Sequence, residues 1–125
     1  MDAGNLLTNC CCIEPSTDLD CFLDHVVAID IDERNIKRTR ENLDLNNANA
    51  TVLQIGVSDR TGSASVNTAA SYNMRSIRRG DGSNTVFTDT LDHIAETLHI
   101  EAIDLVIMDI EGHEVIALQG LVGLL

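Results

Sequence analysis

The sequence predicts an α/β domain with a largely parallel sheet, and three observations carry that prediction. Short β-branched runs alternate with segments of helical period; the runs "VVAI" and "AIDLVIM" are apolar almost throughout; and the runs end on acidic or glycine residues. Parallel strands need a crossover between them, most often a helix, and a strand covered on both faces reads as one continuous apolar stretch. Ligands on such sheets bind beyond the carboxyl ends of the strands, near the switch in strand order. Asp30, Gly56 to Ser58 and Asp109 each follow a predicted strand, which places all three on one edge.

The elements follow in order. Val26 to Ile29 form the first clear strand, and the segment after it has Ile36, Arg40 and Leu43 at helical spacing. Asp32 is the expected cap of that helix, with Lys37 and Glu41 as an i,i+4 pair on its outer side. "ATVLQIGV" is a second strand closed by the turn "SDRTG", and "SASVN" alternates like a half-exposed strand. Residues 68 to 84 show neither period and read as the longest loop, either a binding element or a surface excursion. In "DTLDHIAETLHI" Leu91, Ile94, Ala95 and Leu98 recur at i, i+3, i+4 and i+7, with Asp89 as the expected cap. "AIDLVIM" reads as a strand buried on both faces, and "EVIALQGLVGLL" resumes helical spacing through Val115, Leu118 and Val122.

Composition narrows the function. At 125 residues one domain is expected, and with Phe22, Tyr72 and Phe87 as the only aromatics its core must be aliphatic. The net charge of -12 argues against nucleic acid or an anionic membrane as partner. All 8 basic residues lie between Arg34 and Arg79, so both flanking segments carry acids alone. If those segments meet, their field suits a cationic ligand or a metal; otherwise they form a solvated acidic face. Cys10, Cys11, Cys12 and Cys21 read as small buried residues, since neighbours in a run point apart and converge poorly on one ion. With no basic segment ahead of "NLLTNCCCI" and no apolar run of spanning length, the chain reads as soluble and cytoplasmic.

The strand ends carry the chemistry. Asp30 is placed to accept hydrogen bonds from the two hydroxyls of a ribose, or else to help cap the helix; Asp32 as cap would leave Asp30 free. A nucleotide-binding domain also needs a glycine-rich turn after its first strand, and "MDAGN" offers only Asp2, Gly4 and Asn5. Asp109, Glu111 and His113 invite a metal reading, but Glu111 and His113 sit two apart at a helix start and point to different sides, so no metal is expected. Glu111 and Glu114 suit the positive end of the last helix, and Gly112 permits the sharp turn before it.

Two stretches, "VVAIDIDERNIKRTRENLDLNNANATVLQIGVSDRTGSASV" and "TVFTDTLDHIAETLHIEAIDLVIMDIEGHEVIALQGL", resemble the FkbM-type methyltransferases, enzymes that use S-adenosylmethionine on a Rossmann-like fold. An acid ending a strand, a polar helix ending in Asn, a strand running into Ser-Asp-x-x-Gly, a Leu-Asp opening a helix, and a strand ending in Asp-x-Glu-Gly-x-Glu occur in the family's order. The resemblance implies that Asp30 and Ile31 bind the ribose end of the cofactor, that Gly56 and Val57 lie near its adenine, and that Asp109 faces its methyl group. It also implies that Asp2 and Gly4 begin the loop around the methionine end. Asp109 or His113 is the candidate base for an acceptor hydroxyl, on a small molecule or glycan. Tyr72, Arg75, Arg78 and Arg79 are the candidate acceptor contacts. The chain departs from the pattern at "MDAGN", which lacks the family's alanine and second glycine. It departs again at Met108, where Lys is usual. The first strand is expected to be missing and the sheet truncated at both ends. A non-catalytic remnant of the fold, or a nucleotide-binding domain of other chemistry, are the alternatives.

Overall fold

A computed structural model describes residues 4–9, 23–66, 77–78 and 85–124. Asp2, the four cysteines, Tyr72, Arg75 and Arg79 lie outside the described residues. The fold is mixed α/β, and the chain separates into two compact units, Met1–Gln54 with Ala102–Met108 and Ile55–Glu101 with Asp109–Leu125.

The first unit holds a four-stranded sheet of β1 (Gly4–Asn9), β2 (Leu23–Asp30), β3 (Thr51–Gln54) and β8 (Leu105–Met108), in the order β3-β2-β1-β8. All its pairings are parallel. The order reverses at β1: the chain steps outward through β2 and β3, then returns to pair β8 on the other side of β1. The first strand expected to be missing is therefore present. Pairing with β2 overrides the weak strand propensity of Gly4 and Asn5, the kind of long-range term that local patterns do not show.

Val26 to Ile29 are consecutive and all buried, as a strand covered on both faces requires. Helix α1 (Glu33–Asn46) packs on β2 and β3 through Ile36, Thr39 and Leu43. Arg40 is exposed, so the polar Thr39, rather than Arg40, completes the inner stripe. Asp32 caps the helix as expected, accepting from the Arg34 N–H at 2.9 Å, and Lys37 lies 3.9 Å from Glu41 on the outer face. Asn47, in the left-handed conformation (φ 50°), ends it, a conformation Asn tolerates better than most residues. Strand β8 does not match the expectation of burial on both faces. It lies at an edge of the described sheet, and Leu105 and Ile107 are about two-fifths exposed, at 42% and 41%.

The second unit holds β4 (Gly56–Val57), β5 (Gly62–Val66), β6 (Ile77–Arg78) and β7 (Thr85–Asp89) in the order β4-β7-β5-β6. The single strand read over "ATVLQIGV" is thus two strands in two sheets, broken at Ile55. Gly56 opens the second of them, directly after the break. Strand β4 runs parallel to β7, while β5 runs antiparallel to β7 and to β6. The segment read as one loop contains β6, whose Arg78 pairs with Ser65, so local periodicity missed a two-residue strand.

Helix α2 (Leu91–Thr97) buries Leu91, Ile94 and Ala95 as the spacing predicts, while Leu98, the fourth residue of that spacing, is its C-cap and only half-buried. Its cap is Thr90, whose hydroxyl accepts from the His93 N–H at 3.1 Å; Asp89 still belongs to β7 and its carboxylate is engaged elsewhere. Helix α3 (Glu114–Leu118) reverses the expected face. Val115, Leu118 and Val122 are 71%, 47% and 74% exposed, whereas Ala117 and Leu121 are buried. The reason lies at Gly120: a Cβ there would come within 2.4 Å of the Ser58 carbonyl oxygen and 3.0 Å of the Thr90 Cβ. This close approach of backbone turns Ala117 and Leu121 inward. Gly120→Ala is expected to lower stability by about 1 to 3 kcal/mol, the range for overpacking against an unyielding backbone. Gly62→Ala, where nothing lies within 4 Å, serves as the control. Thermal denaturation of the two variants checks this, and equal melting temperatures would refute the close approach.

Candidate functional site

In the first unit the carboxyl ends of the strands lie at one edge, where Gln54 pairs with Asp30 and Asn9 with Met108. Asp30 is the acid there. Its Oδ1 accepts from the Asp32 N–H at 2.7 Å and its Oδ2 from the Asn35 side-chain amide at 3.1 Å. Asp30 is therefore not left free by the Asp32 cap, as the sequence suggested. It stiffens the same turn. An ionised carboxylate has about four acceptor positions, so beyond the Asp32, Asn35 and Ile31 donors it keeps room to accept from a hydroxyl. Burial pushes the Asp30 carboxyl above its ordinary value, against the opposing hydrogen bonds from Asp32 and Asn35. An acid raised in this way adds stability only when protonated: the contribution is full below the ordinary carboxylate range and lost as pH rises through the folded value. Above that value the charge of Asp30 is held at a cost to folding.

Ile31 is half-buried directly after Asp30. Gly4 opens β1 beside Leu23, at the amino edge of the sheet, and so lies in a strand at the end opposite Asp30, instead of in a turn beside it. Leu23 and Asp30 are the two ends of the 8-residue β2, on the order of 20 Å apart at strand rise.

The second unit contains Gly56, Val57, Asp109 and His113. Gly56 and Val57 are buried within β4. Asp109 is exposed and makes no hydrogen bond or ion pair among the described residues. Glu111 and Gly112 both have left-handed backbone, at φ 54° and 90°, so the sharp turn expected of Gly112 extends over its neighbour. Glu114 folds back on that turn, its Oε1 accepting from the N–H groups of Ile110 at 2.9 Å and Gly112 at 3.2 Å. Backbone donors, its own first and then those of Ile110 and Gly112, hold the Glu114 carboxyl below its usual value. Among the described residues no three Cys, His, Asp or Glu side chains gather as a metal site needs. No helix among them is long and apolar enough to cross a membrane.

The arrangement that the sequence did not reveal is a pair of side-chain clusters. The Ser58 hydroxyl lies 3.3 Å from His113 Nε2 and 3.2 Å from Asp59 Oδ1. Asp59 is in turn bound to Arg60, with 2.7 Å between Oδ2 and the guanidinium; the Arg60 hydrogen bond is the main cause that lowers its carboxyl to about 2. Fifty-five residues separate Ser58 from His113 in sequence, so no local spacing could join them. The second cluster is centred on Asp89. It accepts from the Thr61 hydroxyl at 2.6 Å, the Thr90 N–H at 2.8 Å and His93 Nδ1 at 2.6 Å.

These elements define a mixed α/β domain with acids at its strand ends. The sequence matches that of the methyltransferase FkbM domain over residues 12–125, and the chain belongs to the FkbM methyltransferase family. Asp2 and Gly4 fall outside the matched residues. No curated protein and no solved structure matches the chain.

Burial pushes the Asp89 carboxyl up, but its bonds to Thr61, His93 and Thr90 outweigh that and hold it below its ordinary value. The Asp89 partner raises His93. The Asp89 contribution is present above the ordinary carboxylate range and lost as pH falls through its lowered value. The His93 contribution is full below the ordinary imidazole value and lost as pH rises through its raised one. Denaturant titrations across pH are therefore expected to show a loss of stability on the alkaline flank of the histidine range that is absent in His93→Gln. An unchanged flank in that variant would show that the pair does not couple to folding.

Proposed function

We propose that the chain is an S-adenosylmethionine-dependent O-methyltransferase domain of Rossmann-like architecture, acting on a hydroxyl of a small molecule or glycan. Membership of the FkbM family supports methyl transfer. The parallel order β3-β2-β1-β8 supports the architecture, because a reversal at β1 is the switch point at which such sheets bind ligands. The observation that carries the cofactor reading is Asp30: a carboxylate at a strand end, oriented by its donors, with room to accept from a ribose hydroxyl.

When bound, S-adenosylmethionine supplies an electrophilic methyl group on a sulfonium. The chain's task is then orientation, which accounts for much of the rate in reactions of this kind. Asp30 and Ile31 take the ribose end in this reading, while Gly56, Val57 and Asp109 keep the roles that family resemblance assigns them. His113 accepts the proton of the acceptor hydroxyl. Arg78, with Tyr72, Arg75 and Arg79, is proposed for acceptor contact, and the net charge of -12 disfavours nucleic acid as that acceptor.

Calorimetry with S-adenosylmethionine tests the reading, since no heat at millimolar ligand would sink it. Asp30→Ala is expected to weaken binding by about 1 to 3 kcal/mol, the scale of a lost charged hydrogen bond. Asp30→Asn should weaken binding too, because it keeps the shape but has one acceptor oxygen where Asp30 uses both. An Asn variant that bound normally would reject Asp30 as the ribose acceptor.

A further inference from the structure

A serine hydroxyl within reach of a histidine invites the reading of a nucleophile and its base. The hydrogen-bond directions around Ser58 argue otherwise. A hydroxyl has one proton to donate and two lone pairs with which to accept. Ser58 stands between two groups that could take its proton, Asp59 Oδ1 at 3.2 Å and His113 Nε2 at 3.3 Å. Both Asp59 oxygens face the Arg60 guanidinium, at 3.1 and 2.7 Å. That keeps the carboxylate ionised, and an ionised carboxylate only accepts. A charge-assisted bond is roughly twice as strong as a neutral one, so the Ser58 proton goes to Asp59. The Ser58 oxygen is then left to accept, and His113 Nε2 must be the donor.

We infer that Ser58 and Asp59 are positioning residues that fix His113 in its Nε2–H tautomer, so that Nδ1 is the atom that accepts a proton. Which ring nitrogen is basic is set by the bond that the other one makes. Nδ1 has no hydrogen-bond partner among the described residues. Ser58 itself is buried, at 7% exposure, and its backbone N–H is tied to the Asp89 carbonyl at 2.9 Å. It is thus held in place on the β4–β7 side and has no proton available for His113 to remove. This excludes Ser58 as a nucleophile activated by His113. The tautomer stands on this geometry alone; only the use of Nδ1 as base for an acceptor hydroxyl rests on the methyl-transfer reading.

Two-bond nitrogen–proton NMR of the histidine rings reads the tautomer directly, at a pH where the His113 ring is neutral by its own titration. The wild-type protein is expected to show a pyrrole-type Nε2 and a pyridine-type Nδ1. In Asp59→Asn the amide can donate to Ser58, whose proton then turns toward the ring, and the Nδ1–H form should rise at least several-fold. Ser58→Ala should relax the ratio toward that of free histidine, and Ser58→Thr should restore the wild-type spectrum. The bonded Nδ1 of His93 reports in each sample whether the surrounding unit is intact. A wild-type ring protonated at Nδ1, or a ratio unmoved in both Asp59→Asn and Ser58→Ala, would overturn the inference. A correct tautomer together with methyl transfer unaffected in His113→Gln would instead reject His113 as base while leaving its tautomer assigned.

Discussion

A carboxylate with little access to water must find donors or lose its charge, and Asp89 finds three. Thr61 reaches it from the turn before β5, Thr90 from the start of α2, and His93 from the first turn of that helix. Its backbone carbonyl receives the Ser58 N–H. One residue therefore ties a turn, a helix start and the end of β4 to the end of β7. The consequences spread outward. Because Asp89 remains in the strand, Thr90 becomes the cap; because Ser58 is pinned, its hydroxyl has a fixed choice between Asp59 and His113. The turn that presents His113 is then held from two sides, by Ser58 and by the Glu114 carboxylate on its N–H groups.

The two acids after β2 divide their labour differently. Asp32 is buried, bonded to the Arg34 backbone and side chain, and starts α1. Asp30 makes bonds that orient it but is pushed toward neutrality by burial, so stability alone gives little reason for an acid there. Groups that fold at a cost cluster where a protein works. That contrast separates two neighbouring aspartates which look interchangeable in the sequence.

Much of the local structure was legible. The continuous apolar run Val26–Ile29, the Asp32 cap, the Lys37–Glu41 pair and the Leu91, Ile94 and Ala95 part of the α2 stripe each depend on residues within one turn or one strand, and each appears as read. What was not legible depends on partners far away in the chain. Gly4–Asn9 becomes a strand because β2 and β8 flank it, and "ATVLQIGV" splits because Gly56–Val57 finds β7. The apolar stripe of α3 pointed to Val115 and Leu118, yet a backbone approach at Gly120 selects Ala117 and Leu121. For the site, the strand-end acid Asp30 could be found from position alone. The Ser58–His113 contact could not, although the Ser-Asp turn and the Gly-His turn were each marked as places where chemistry could sit.

Consecutive N–H groups around left-handed residues form a concavity that attracts anions, a cradle found at many phosphate sites. The Ile110–Gly112 turn has that shape, but the chain fills it with its own Glu114. The anion receptor is thus supplied with a resident guest. The N–H groups of Ile110 and Gly112 meet a negative charge that the chain itself supplies, one turn of backbone away from His113.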